Sequence, residues 1–219
     1  MIFDSNLLSR KLGAWLDEHD LIDQDLTEYI TNPLNAFLMI KRLTSGIELI
    51  RQRFPEQTRH FYEKIQNLLP SNAELNLAVE GLIGVQFIYK LRSEDFANGI
   101  IDGVVTRKPL SPHDLFVIGS EALKFDDHFH FATDYLKLAW QKFQKGFDVD
   151  DEIKENILLL QLITAYYKSR DYAKAVLFAD VLVEKNPGVQ KYAAIRKIMA
   201  VDLEQYGTSS FWKHNDYDV

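Results

Sequence analysis

Three short patterns hold residue types that do chemistry elsewhere, and each fails on spacing. His214-Asn215-Asp216 spells His-x-Asp, the pair with which a facial iron site begins. It stands three residues from the end of the chain, with no third ligand and no strand pattern around it. His128-Phe129-His130 places two imidazoles at x and x+2, a step that puts them on opposite sides of a helix, so the plainer reading is a solvated turn. Asp148, Asp150, Asp151 and Glu152 gather negative charge, but without the turn glycine and distal glutamate of a calcium loop they read as an exposed acidic loop. The absence of cysteine excludes thiolate chemistry, disulfides and cysteine-held metal, and leaves the compartment open. No nucleophile elbow, phosphate loop or His-Glu-x-x-His occurs. The residues thus offer no catalytic group, metal ligand or cofactor site, and the sequence points to binding and assembly.

The elements that would position a binding surface are helices. Leu159–Gly188 reads position by position as one helical repeat. Leu162, Tyr166, Ala175, Ala179, Leu182 and Pro187 fall where a tetratricopeptide unit of roughly 34 residues needs its packing residues and closing proline. Leu159, Leu162 and Tyr166 share one helical face, and Ala175, Phe178, Ala179 and Leu182 another. Asp171 is placed to cap the second helix. Such a pair cannot bury both faces alone, so neighbours are required on each side. From Leu110 a divergent second repeat overlays the first, with Ser111 or Asp114 as cap, Ile118-Gly119 over Leu162-Ile163, and Phe131 or Ala132 at the close-packing site. Val189–Tyr206 is then a capping helix that turns Tyr192, Ile195, Met199 and Leu203 onto the open end of the array.

Upstream, residues 5–30 carry an apolar stripe, Leu8, Leu12, Trp15 and Leu16 followed by Leu21, Leu26 and Tyr29 or Ile30, as in a helix that packs on a partner helix. Thr31-Asn32-Pro33 breaks it. A helix from Leu34 to about Arg53 follows, stopped by Phe54-Pro55. Next come His60–Leu69 and an apolar, central helix from about Ala73 to Leu91. Ser93–Gly103 is a glycine-punctuated connector. The reading is all-α: an N-terminal helical region over 1–92, a connector over 93–109, a tetratricopeptide-like array over 110–206 and a tail over 207–219.

Composition agrees. The chain has 219 residues, 47% of them hydrophobic, enough to bury a core. Its net charge is −7, with Lys and Arg scattered among acids, which argues against a nucleic-acid partner. No apolar run approaches the roughly 18 to 20 residues of a membrane span. The opening MIFDSNLLSRKLGAW lacks the basic start and apolar block of a signal peptide.

The order Asn32-Pro33-Leu34-Asn35-Ala36-Phe37, Ala78–Leu91, Asp95-Phe96-Ala97-Asn98-Gly99 with Asp102-Gly103, Leu110-Ser111 with Asp114, Phe116 and Gly119, then Leu159–Pro187, resembles the N-terminal half of the α subunit of collagen prolyl 4-hydroxylase. The likeness runs from about residue 25 to 200. It implies an N-terminal dimerisation segment, here centred on Leu8, Leu12, Trp15 and Leu16, and hence a homodimer. It also implies a repeat domain whose groove holds a proline-rich peptide in polyproline II conformation, by ring stacking and hydrogen bonds to carbonyls. On this chain Tyr167 and Tyr192 are the rings assigned to the groove, with Lys191 available to bond a peptide carbonyl and Asp114 beside them. Leu123, Thr164, Ile195 and Ile198 stand where other members carry tyrosine or asparagine, and Lys191 where an arginine is expected.

In a complete enzyme the resemblance further implies the endoplasmic reticulum lumen, protein disulfide isomerase as partner, and Fe2+, 2-oxoglutarate and ascorbate in a separate barrel domain. The chain is expected to lack that barrel and, isolated, to hydroxylate no peptide. Three readings stay open at this point: the non-catalytic part of a procollagen-proline 4-dioxygenase α subunit, a stand-alone helical binding protein with a changed peptide preference, and a dimerisation partner that modulates full-length subunits. With most ring positions aliphatic, binding to poly-L-proline is expected to be weak or absent, and a more apolar extended ligand is expected to bind to some degree.

Overall fold

The computed structural model describes residues 13, 26–105, 109–125, 129–146 and 153–207. These residues are overwhelmingly helical, and the fold is all-α. The stripe at Leu8, Leu12, Trp15 and Leu16, His128, the acidic loop at Asp148–Glu152 and His214-Asn215-Asp216 lie outside the described residues. The chain divides after Leu91 into two compact units.

In the first unit α1 (Leu26–Thr31) ends where Asn32 Oδ1 accepts the amides of Leu34 and Asn35, at 2.9 and 3.3 Å, and opens α2 (Pro33–Lys41). Proline is suited to this first position because its missing N–H has no helical partner there. A π-helical turn, Arg42–Gly46, joins α2 to α3 (Ile47–Arg53). Within it the hydroxyls of Thr44 and Ser45 donate to carbonyls of the preceding turn. Phe54, at φ −131° and ψ 58°, stops α3 as expected, and Pro55 starts α4 (Pro55–Ile65), again at a first turn, so this helix begins five residues before the expected His60. Ser71 and Glu74 form a reciprocal capping box that starts α5 (Asn72–Ile88). The core of this unit is Leu34, Phe37 and Leu38 of α2 with Leu75, Val79, Leu82 and Ile83 of α5, two elements in direct contact.

The second unit opens with α6 (Ser93–Ala97) and a minimal antiparallel hairpin, β1 (Ile100–Ile101) and β2 (Val104–Val105). Asp102 and Gly103 form its two-residue turn with φ of 50° and 75°, the conformation that favours Asp-Gly. Five helices follow: α7 (Pro112–Ala122), α8 (Phe129–Gln144), α9 (Glu155–Lys168), α10 (Tyr172–Lys185) and α11 (Gln190–Tyr206). Each packs on the next. Gly119 is what lets α7 meet α8 closely, since a Cβ there would lie 2.6 Å from Leu136 Cγ and 3.2 Å from the Ala132 carbonyl. Ala175 and Ala179 serve the α9–α10 approach and are fully buried together with Leu159, Leu162 and Leu182. Tyr166 is buried and stacks on Phe178, with ring centroids 5.4 Å apart.

Candidate functional site

The helix faces that could take a ligand are set by how α9 and α11 register. Asn156 Nδ2 donates to the Tyr192 hydroxyl at 2.9 Å across a separation of 36 residues. Near the other end, the Tyr167 hydroxyl donates to Asp202 Oδ2 at 2.8 Å across 35. Two ties of nearly equal sequence separation mean that α9 and α11 run side by side in the same direction, with α10 antiparallel to both. Lys168 Nζ reaches the Leu123 carbonyl at 3.1 Å and so ties α9 to the end of α7. The first helices of successive pairs therefore line up along one side of the second unit.

On that frame the four residues expected to bind peptide fall in three places. Tyr167 is half-buried at the end of α9. Its hydrogen bond to Asp202 holds its pKa above the usual tyrosine range, and its ring meets Tyr172 edge-on at 5.5 Å and 70°. Tyr192, at the start of α11, is 3% exposed and belongs to the cluster of Leu159, Ile163, Ala179 and Leu182. Its ring, expected to face a peptide, instead fills the core, because the stripe formed with Ile195 and Met199 is the one that α11 turns onto α9 and α10. Lys191 is exposed, with its ammonium 5.0 Å from the centre of the Tyr192 ring. Asp114 is buried in the first turn of α7. There Oδ2 accepts the Ser111 amide at 2.8 Å and the Ser111 hydroxyl at 2.7 Å, while the Asp114 amide donates back to Ser111 Oγ at 3.1 Å. Its carboxylate is a helix cap.

Lys191 and Tyr192 are thus together, Tyr167 lies at the far end of the same helix pair, and Asp114 is engaged in another. Among the positions where rings were expected but are absent, Leu123 is buried, Thr164 is exposed with its hydroxyl turned back to the Leu160 carbonyl, Ile195 packs on the core, and Ile198 is 55% exposed. Asp202, Tyr172, Tyr206 and Asn156 were not singled out from the sequence. Their signal is a common separation: Asn156 meets Tyr192 across 36 residues and Tyr167 meets Asp202 across 35.

Lys142, on α8, holds the connector. Its Nζ donates to the carbonyls of Ala97 and Leu110, both at 2.9 Å. Burial lowers its pKa, against the opposing attraction of the Asp114 carboxylate. Among the described residues no group of three His, Asp or Glu side chains stands close enough to hold a metal ion. They therefore do not fit an iron site. Among the described residues no helix is long and apolar enough to cross a membrane.

An all-α protein of successive helical pairs, with a tyrosine-bearing face and no metal cluster among its described residues, is the class that fold and site define. Residues 4–103 match the family model of the prolyl 4-hydroxylase alpha-subunit, N-terminal region. The chain is 32% identical over 168 residues to prolyl 4-hydroxylase subunit alpha-2 of Caenorhabditis elegans, covering 73% of this chain and 31% of the relative. It is 25% identical over 203 residues to human prolyl 4-hydroxylase subunit alpha-3, covering 84% of this chain and 37% of the relative. This chain belongs to the prolyl 4-hydroxylase α-subunit family and carries its N-terminal region. It spans about a third of the length of the curated relatives it matches.

Proposed function

We propose that this chain is the non-catalytic, N-terminal portion of a procollagen-proline 4-dioxygenase α subunit, in which residues 110–206 form a tetratricopeptide-type array that holds a proline-rich peptide substrate. Residues 1–92 serve subunit assembly, with Leu8, Leu12, Trp15 and Leu16 as the homodimer seam. The observation that carries the peptide reading is the parallel registration of α9 and α11, which leaves Tyr167 half-exposed with its hydroxyl already bonded to Asp202. A ring fixed in this way loses little freedom when a proline stacks on it. Lys191, rather than the buried ring beneath it, is the donor that a peptide carbonyl meets at the other end, and Asp114 contributes by fixing the start of α7. The complete subunit would work in the endoplasmic reticulum lumen with protein disulfide isomerase, and its iron, 2-oxoglutarate and ascorbate would be used in a domain beyond these residues.

The aliphatic positions set the strength. Three missing rings, at about 0.5–1.5 kcal/mol each beyond area burial, weaken binding by roughly ten- to a thousand-fold or more relative to a fully tyrosine-lined face. A second reading, a diverged array that prefers another extended apolar ligand, is favoured by Ile198 at 55% exposure where a ring was expected. Calorimetric titration with poly-L-proline and Pro-Pro-Gly repeats separates the two. Weak binding removed by Tyr167→Ala supports the first reading, and no binding at millimolar peptide leaves the second. For assembly, Leu12→Glu with Leu16→Glu should convert a sedimenting dimer to helical monomers, whereas a wild-type chain that is monomeric at micromolar concentration removes the dimer seam from the account.

A further inference from the structure

At one end of the α9–α11 face three tyrosine rings adjoin in a row. Tyr167 and Tyr172 are 5.5 Å apart at 70°, and Tyr172 and Tyr206 are 5.9 Å apart at 33°. The Asp202 carboxylate stands beside the first of them and accepts its hydroxyl. A neutral hydroxyl occupies one of about four lone-pair sites on a carboxylate and leaves its charge uncompensated. Three basic side chains of neighbouring turns are engaged elsewhere: Arg196 with Asp180 at 2.7 Å, Lys174 with Asp171 at 2.7 Å, and Lys168 with the Leu123 carbonyl and the Phe129 ring. Among the described residues no Lys or Arg forms an ion pair with Asp202.

Aromatic faces carry negative quadrupolar charge and attract cations, and guanidinium groups also stack on them. A half-buried carboxylate at the hydroxyl end of one of these rings adds a full charge and open acceptor sites, a combination that suits a planar cation better than a neutral proline ring. We propose that Tyr167, Tyr172 and Asp202 form a subsite for a cationic side chain, arginine above all, carried by the peptide next to its prolines. This rests on the peptide reading above and narrows the substrate class to proline-rich segments with basic residues. A polyproline II peptide repeats its faces every third residue, roughly 9 Å along its axis, so one arginine per triplet keeps presenting charge to the same side.

The test is calorimetric titration of the whole chain with Pro-Pro-Gly, Pro-Arg-Gly and Ala-Arg-Gly repeats of equal length, against wild type and Asp202→Asn. Asparagine keeps an acceptor for the Tyr167 hydroxyl and removes only the charge. Pro-Arg-Gly is expected to bind about ten-fold more tightly than Pro-Pro-Gly at low salt, the gap closing at high salt and in Asp202→Asn. Equal affinities, or a gap untouched by Asp202→Asn, overturn the subsite while Pro-Pro-Gly binding leaves the peptide reading in place. Ala-Arg-Gly binding that depends on Asp202, with both proline repeats silent, keeps the subsite and overturns the peptide reading. Silence from all three repeats overturns both.

Discussion

Asn156 of α9 donates a 2.9 Å hydrogen bond to the hydroxyl of Tyr192 on α11, and so the polar end of a ring buried to 3% exposure is satisfied inside the array. Tyr167, about three turns further along α9, makes the matching tie to Asp202 but keeps part of its ring in solvent. The two tyrosines should therefore respond differently to truncation. Tyr192→Ala opens a large cavity and orphans Asn156, and should cost about 3–5 kcal/mol. Tyr167→Ala should cost no more than about 1–2 kcal/mol, from one hydrogen bond and one ring contact. Urea denaturation of the two variants checks this, and equal losses would place both rings in the core.

Glycine to alanine should change stability in opposite senses at two positions. Gly119→Ala brings a methyl within 2.6 Å of Leu136 Cγ, whose side chain is fully buried. The overpacking should cost about 1–3 kcal/mol. At Gly84, in α5, a Cβ meets nothing within 4 Å, and alanine should stabilise the helix by about 0.5–1 kcal/mol. Thermal melts of both variants read the signs directly.

Lys142 joins α8 to the connector through two carbonyls. Lys142→Met keeps the apolar stem and removes both bonds, which should cost about 2–4 kcal/mol because each acceptor belongs to a buried residue and is bonded to a cation. The loss should be local first. Hydrogen exchange should quicken at the amides of Leu110 and Gly99, which close the connector onto Ala97 and Phe96, before it quickens in α9 or α10.

Three tyrosines give the fold an alkaline limit. Burial raises Tyr166 to about 12, burial also pushes the Tyr135 hydroxyl up, and the bond to Asp202 raises Tyr167. Their folded pKa values exceed the unfolded value of about 10. The unfolded chain thus loses these protons first, and the stability they contribute is complete below about pH 10 and lost as pH rises through the folded values. Lys142, with a pKa lowered by burial, acts in the opposite sense over its own window, but one lysine faces three tyrosines. Urea midpoints should hold level near pH 9 and fall above about pH 10, and Tyr166→Phe should lessen the fall. A midpoint that stays level to about pH 11.5 would contradict the assignment of these three hydroxyls as protonated anchors.

Much of the fold was legible because its signals are local. Ser111 and Asp171 were placed as helix caps and both cap helices; Asn32, read only as part of a break, and Ser71 cap helices in the same way. The hairpin at Ile100–Val105 was missed because strands of two residues are too short to show alternation; its one signal was the Asp102-Gly103 turn. Phe54-Pro55 was legible as the stop of α3, but Pro55 is also the first residue of α4, a role that the same residue type allows and that the sequence reading did not take. The site was less legible. The stripe of Tyr192, Ile195 and Met199 was legible as the face that α11 turns onto the preceding helices, but the assignment of Tyr192 to a groove conflicted with it, and its 3% exposure decides for the core. Asp202 lies 35 residues from the tyrosine it holds, a relation visible only in the packed chain.

The claim that the α9–α11 side of the second unit carries a proline-rich peptide is tested most directly by amide chemical-shift mapping, which reads weak binding as well as strong. Pro-Pro-Gly repeats titrated into isotope-labelled protein should shift Thr164, Tyr167, Lys168, Lys191, Ile198 and Asp202, and leave the amides of α1 to α5 in place. The same titration of Tyr167→Ala should flatten those shifts while its spectrum stays folded. Shifts confined to residues 26–91, or none at millimolar peptide, would contradict the account.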